Sequence, residues 1–156
     1  MKSEYMSVAL ERAKTAFQNG EIPVGAVIVK GDRIIATGEN HREGKNNALS
    51  HAEIEAINNA CKTLGSWRLD GCTMYVTLEP CMMCMGAIIN SRIDTLVFGA
   101  YDLKAGCADS IMNAKGLLSS EKPEIYGGIM EEKCRNILKD FFDTVRVNGK
   151  PKAENS

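Results

Sequence analysis

Apolar residues at Met6, Ala9, Leu10, Ala13, Ala16 and Phe17 recur at helical spacing and stop before Gly20, which predicts an N-terminal helix. The pattern then changes to a β-branched run, Val24-Gly25-Ala26-Val27-Ile28-Val29. A turn at Gly31-Asp32 and a second apolar run from Ile34 to Thr37 make it a hairpin. Gly38 to Ser50 is polar and aperiodic, as a loop is. His51 to Leu64 has helical composition and ends at Gly65, a suitable helix stop. Thr73 to Leu78 alternates as a strand does, and Pro80 then breaks it and opens a second helix from about Cys81 to Asn90. Thr95 to Phe98 reads as a short strand and Tyr101 to Ser110 as a loop, while Ala114 to Lys122 has no legible pattern. Glu124-Ile125-Tyr126 reads as a last strand and Glu131 to Val145 as an amphipathic helix.

Strands separated by helices place a sheet between two helical layers, so the expected class is α/β, a three-layer α/β/α sandwich. One domain over residues 1–147, followed by a flexible tail over 148–156, accounts for the chain. No internal repeat or linker interrupts it.

Composition changes this picture little. With 44% hydrophobic and 25% charged residues, the 156-residue chain matches a soluble globular protein and excludes a wholly disordered one. No run approaches the roughly 18 apolar residues of a membrane span, and the N-terminus lacks a secretory apolar core. The expectation is a cytoplasmic protein without membrane contact. A net charge of −1 and a pI near 6.1 provide no global field for a polyanion, although a local basic patch is compatible with both. Six cysteines in a chain without an export signal point to metal or redox chemistry before a disulfide framework.

The chemistry concentrates in His51-Ala52-Glu53 and Pro80-Cys81-Met82-Met83-Cys84. Thiolates and an imidazole nitrogen are the donors Zn²⁺ prefers, and Cys81 and Cys84 share a face if both lie on one helix. Three protein ligands leave a tetrahedral ion one position for water, the mark of a catalytic site. Two thiolates neutralise the ion's formal charge and weaken it as a Lewis acid, so a neighbouring carboxylate becomes useful for moving protons. Glu53 is the candidate. Residues two apart on a regular helix point about 200° apart, so His51 and Glu53 reach one centre only if the helix start is irregular.

Other readings of these residues stay open. A Cys-x-x-Cys alone suits a redox pair, against which stand Pro80 and the upstream His-x-Glu. A structural zinc needs a fourth ligand, for which His41, Cys61, Cys72, Cys107 and Cys134 are available. Cys61 and Cys134 fall within helical patterns and read as core, and Met82, Met83 and Met85 read as packing.

These motifs resemble the cytidine-deaminase-like zinc deaminases, and within them the bacterial tRNA adenosine deaminases. The resembling stretches are Glu21 to Ala26, Gly38-Glu39-Asn40, His51 to Ile54, Thr77 to Cys81, Gly86-Ala87 and Phe98 to Asp102. The resemblance implies a central mixed five-stranded sheet, one Zn²⁺ per chain, a homodimer, and conversion of adenosine to inosine at the wobble position of a tRNA anticodon stem-loop. By position it implies His51, Cys81 and Cys84 as metal ligands, Glu53 as the catalytic carboxylate, and Asn40, Ala52, Asp102 and Lys104 as substrate contacts. Three segments depart from the family pattern. Asn47-Ala48-Leu49 replaces an Asp-Pro-Thr, Leu118 to Glu121 replaces an aromatic-Asn-His segment, and Asp143 follows Phe141-Phe142 where a basic stretch is common. The alternative substrate is a free base or nucleoside such as guanine, cytosine or cytidine. The non-enzymatic alternative is an RNA-binding module with structural zinc.

Overall fold

The computed structural model describes residues 2–149. The chain runs α1 (Ser3–Gln18), β1 (Gly25–Lys30), β2 (Arg33–Glu39), α2 (Ala52–Leu64), β3 (Cys72–Leu78), α3 (Met82–Asn90), β4 (Thr95–Ala100), α4 (Ala114–Leu117), β5 (Glu124–Tyr126) and α5 (Glu131–Asn148). The strands form one mixed sheet in the order β2-β1-β3-β4-β5. β1 is antiparallel to both β2 and β3, whereas β3, β4 and β5 are parallel.

Side chains alternate across a strand, and this sheet buries both faces. Val27, Val29, Tyr75 and Val97 lie on one face with α1 residues Met6, Ala9 and Leu10 and α5 residue Cys134. Ala26, Ile28, Met74, Val76, Leu96 and Phe98 lie on the other, with Ala52, Ala56 and Ala60 of α2 and Met85 and Ile88 of α3. The result is the expected three-layer sandwich, with α1 and α5 on one side and α2, α3 and α4 on the other.

Differences from the sequence reading have local causes. β2 runs on to Glu39, because Gly38 and Glu39 pair with Ala26 and Gly25. β4 continues to Ala100 through its pairing with Leu78. The illegible stretch holds α4, which is too short to show a period. Its N-cap Asn113 accepts a hydrogen bond from the Gly116 N–H. α5 extends past Val145 to Asn148, which takes the first residue of the predicted tail into the helix. Beyond Gly149 that tail lies outside the described residues. Among the described residues no helix is long and apolar enough to cross a membrane.

One close approach sets where α2 begins. A Cβ on Gly38 would lie 2.3 Å from the Ala52 carbonyl oxygen and 2.5 Å from the Ala56 nitrogen, so the helix rests directly on the β2 backbone. Gly38→Ala is expected to destabilise the fold by about 3 kcal/mol, because the neighbouring atoms are backbone and cannot step aside. Urea unfolding checks this, and an unchanged midpoint would show that α2 can move off the strand without cost.

Candidate metal centre and active site

The centre forms where two helices start beside two strand ends. His51 is the N-cap of α2, with extended backbone (φ −75°, ψ 155°). Cys81 is the N-cap of α3, equally extended (φ −75°, ψ 178°). The difficulty of placing His51 and Glu53 at one centre disappears here, since His51 lies outside the helix and is free of its 100° step. Cys81 and Cys84 likewise converge through an N-cap and a first-turn residue, and not as two residues of one regular helix.

His51 Nδ1 lies 3.7 Å from Cys81 Sγ and 3.6 Å from Cys84 Sγ. The three donor atoms lie within 4.8 Å of one another. Tetrahedral zinc with ordinary Zn–N and Zn–S bonds requires N···S separations of about 3.5–3.6 Å, so this donor set fits the ion in both chemistry and spacing. It is the only such group among the described residues. His41, Cys61, Cys72, Cys107 and Cys134, each a conceivable fourth ligand, are not part of it.

Electrostatics at the centre favour a thiolate. The Cys81 thiol is drawn down to about 4, first by the Cys84 thiol donating to it, then by His51 and the Cys84 N–H, all working against burial. Cys84 is pushed up as the donor of that shared proton, and further by burial and by Glu53. The His51 imidazole is raised by its hydrogen bond to Cys81, which outweighs burial. A divalent cation bound here would take the place of these protons, because thiolates and neutral imidazole are the ligating forms. Glu53 is 4% exposed, and burial lifts its carboxyl to about 7.

A cleft of about 260 Å³ opens over these groups. His51, Glu53 and Cys81 line it, and so do three of the predicted substrate contacts, Asn40, Ala52 and Asp102. Lys104 is exposed on the Asp102 loop but does not line the cleft. The Asn40 amide is held in place, with Nδ2 donating to the Ile22 carbonyl (3.2 Å) and Oδ1 facing the Arg42 N–H (3.4 Å). Arg42 lines the same cleft and an adjoining hollow walled by Phe141 and Phe142. In the loop before His51, Asn47 Oδ1 accepts the Leu49 N–H (2.9 Å), so Asn47-Ala48-Leu49 forms a side-chain-capped turn. Asp143 pairs with both Lys139 and Arg146, which leaves that end of α5 without free positive charge from them.

Three residues at the cleft or the adjoining hollow carry no local signal that marks them. Besides Arg42, these are Glu21 and Glu79, both almost fully buried at 1% and 2% exposure. Each carboxylate gathers backbone N–H groups from a cleft loop: Glu21 from Glu43 and Gly44, Glu79 from residues 102 to 110. Other expectations divide. Cys134 and Met85 are core, Cys61 and Met83 are half-buried, and Met82 is 46% exposed beside Cys81, so it is not packing.

The family model for MafB19-like deaminases matches residues 1–146. The chain belongs to that family. The tRNA-specific adenosine deaminase of Bacillus subtilis (strain 168) is 45% identical over 155 residues, covering 97% of this chain and 94% of the relative. A solved structure from work on A-to-I editing by tRNA:A34 deaminases at the wobble position of transfer RNA superposes with a TM-score of 0.82. It has 38% identity and covers 87% of this chain and 99% of that one. A guanine deaminase structure from Bacillus subtilis, 36% identical, superposes with a TM-score of 0.63 over 79% of each chain. The chain is thus a deaminase with the cytidine-deaminase-like α/β fold, and the sheet and helices above are that fold's.

Proposed function

We propose that this chain is a zinc-dependent deaminase that converts adenosine to inosine at the wobble position of a tRNA anticodon stem-loop. The observation carrying it is the convergence of His51, Cys81 and Cys84, with the buried Glu53 beside them, where His51, Glu53 and Cys81 line one cleft. Identity of 45% to a tRNA-specific adenosine deaminase over 97% of the chain supports the choice of substrate. His51 Nδ1, Cys81 Sγ and Cys84 Sγ hold one Zn²⁺. When bound, the ion supplies Lewis acidity and lowers the pKa of water. Glu53 takes a proton from the attacking water and delivers it to the exocyclic nitrogen of the purine, so that water and adenosine give inosine and ammonia. Asn40, its amide oriented by Ile22, offers the base an acceptor and its second N–H donor. Ala52 and Asp102 form the walls, and Lys104 meets a flanking phosphate from the rim.

The same reading takes the active unit as a homodimer, supported by exposed apolar side chains at Leu103, Ile111, Leu117 and Leu118. It places the protein in the cytoplasm with its substrate. The zinc-loaded protein, given an anticodon stem-loop beside guanine, cytosine and cytidine, is expected to release ammonia from the RNA alone. Release from a free base or nucleoside alone would move the chain to the small-molecule deaminases. No release, together with a fourth protein ligand on the zinc, would make the metal structural.

A further inference from the structure

Glu79 joins the end of β3 to Pro80 and Cys81, and its carboxylate is spent entirely on one loop. Oε1 accepts the Asp102 N–H (3.0 Å) and the Ser110 hydroxyl. Oε2 accepts the N–H groups of Ala108 (3.2 Å), Asp109 (2.7 Å) and Ser110 (2.8 Å). The two ends of the loop are therefore pinned to a single buried group. Between them Gly106 crosses so closely that a Cβ there would lie 2.4 Å from Glu79 Cδ and Oε1. The Cys107 N–H also donates to the Pro80 carbonyl (2.8 Å), which ties the loop to the turn that presents Cys81. Asp102 is shaped in turn, its Oδ1 accepting the N–H groups of Lys104 (3.0 Å) and Ala105 (3.1 Å). Asp102 and Ala105 line the cleft.

A buried carboxylate without five donors would be very costly. With them, it imposes one conformation on a loop that otherwise has no regular structure. Most of the sheet core comes from the strands and helices, and Cys107 and Ala108 of the loop pack against it. We propose that Glu79 is a positioning residue that prearranges the loop from residue 101 to 110 for the polynucleotide, and so governs KM for RNA while Glu53 governs the chemical step. This rests on the RNA reading above.

The test compares wild type with Glu79→Gln and Gly106→Ala, each zinc-loaded, on an anticodon stem-loop. The glutamine sets an N–H donor against backbone donors, and the alanine pushes the loop off an intact carboxylate. Both are expected to raise KM by about 10-fold or more with kcat within about threefold, at unchanged zinc content. Amide exchange read beside the kinetics is expected to quicken at Asp102, Ala108, Asp109 and Ser110, and to stay the same in β3 and α2. An unchanged KM with undiminished protection of those amides overturns the inference, as does a fall in kcat, zinc content and sheet protection together. If the wild type does not act on the stem-loop, the substrate reading fails. The exchange measurement then decides whether Glu79 holds the loop. Should Glu79→Gln not fold, Gly106→Ala and the milder Ser110→Ala carry the same comparison.

Discussion

Glu53→Gln is expected to fold and to bind zinc while losing deaminase activity by about 10²-fold or more, since an amide cannot shuttle the proton. The residue is 4% exposed and its carboxyl is lifted by burial to about 7. The fold therefore bears a cost for keeping this group ionised, which the variant removes. A raised folded-state pKa means that the native protein binds more protons than the unfolded chain between the ordinary value near 4.5 and about 7. Stability contributed by Glu53 accordingly falls as pH rises through that window. With zinc chelated, the wild type should lose stability relative to Glu53→Gln on the order of 3 kcal/mol between pH 4.5 and 8. Urea unfolding at the two pH values, beside inosine formation at pH 7, checks both halves. Retained turnover would take Glu53 out of the reaction.

Cys84→Ala is expected to bind no zinc at micromolar concentrations and to be inactive, a loss of about 10³-fold or more. Cys84 is fully buried and, with Cys81 and His51, completes the donor set. Two remaining ligands do not make a tetrahedral site. In the wild type, free zinc at 1,000 times its dissociation constant should add about 4 kcal/mol to stability by linkage, and the variant should show none of it. Cys107→Ala, which removes a thiol that instead donates to the Ala105 carbonyl (3.4 Å), should keep the metal. Metal analysis and thermal unfolding with and without zinc distinguish these outcomes. Zinc retained by Cys84→Ala, or lost from Cys107→Ala, would mean a different ligand set.

Much of this was legible in the chain. α1 and α5 follow from apolar periods, the β1–β2 hairpin from its β-branched runs and turn, and α2 from its composition, and Gly65 does stop α2 in the left-handed conformation (φ 63°). The metal donors stood out because few other arrangements use His-x-Glu with Pro-Cys-x-x-Cys. What remained hidden is long-range. Glu79 reads as one more polar residue at a strand end, and its partners lie 23 to 31 residues later in the chain. Glu21 is met by N–H groups 22 and 23 residues on. A carboxylate's burial depends on which backbone turns toward it, and no local period records that. The N-cap positions of His51 and Cys81 were hidden for a related reason, since side-chain composition does not mark the residue at which helical dihedrals begin.

β3 and β4 run in the same direction, so the chain leaves both at one rim of the sheet. Leu78 and Ala100 are register partners there. That shared exit lets a residue just past one strand touch the residues just past the next. An antiparallel neighbour would have sent its loop to the far rim. Gly31-Asp32 and Gly71 lie at the far rim and line no part of the cleft. Asn40 and Arg42 from one loop and Asp102 and Ala105 from the other line the cleft at the near rim. One rim of the sheet thus carries both the donor set and the loops that wall the space above it.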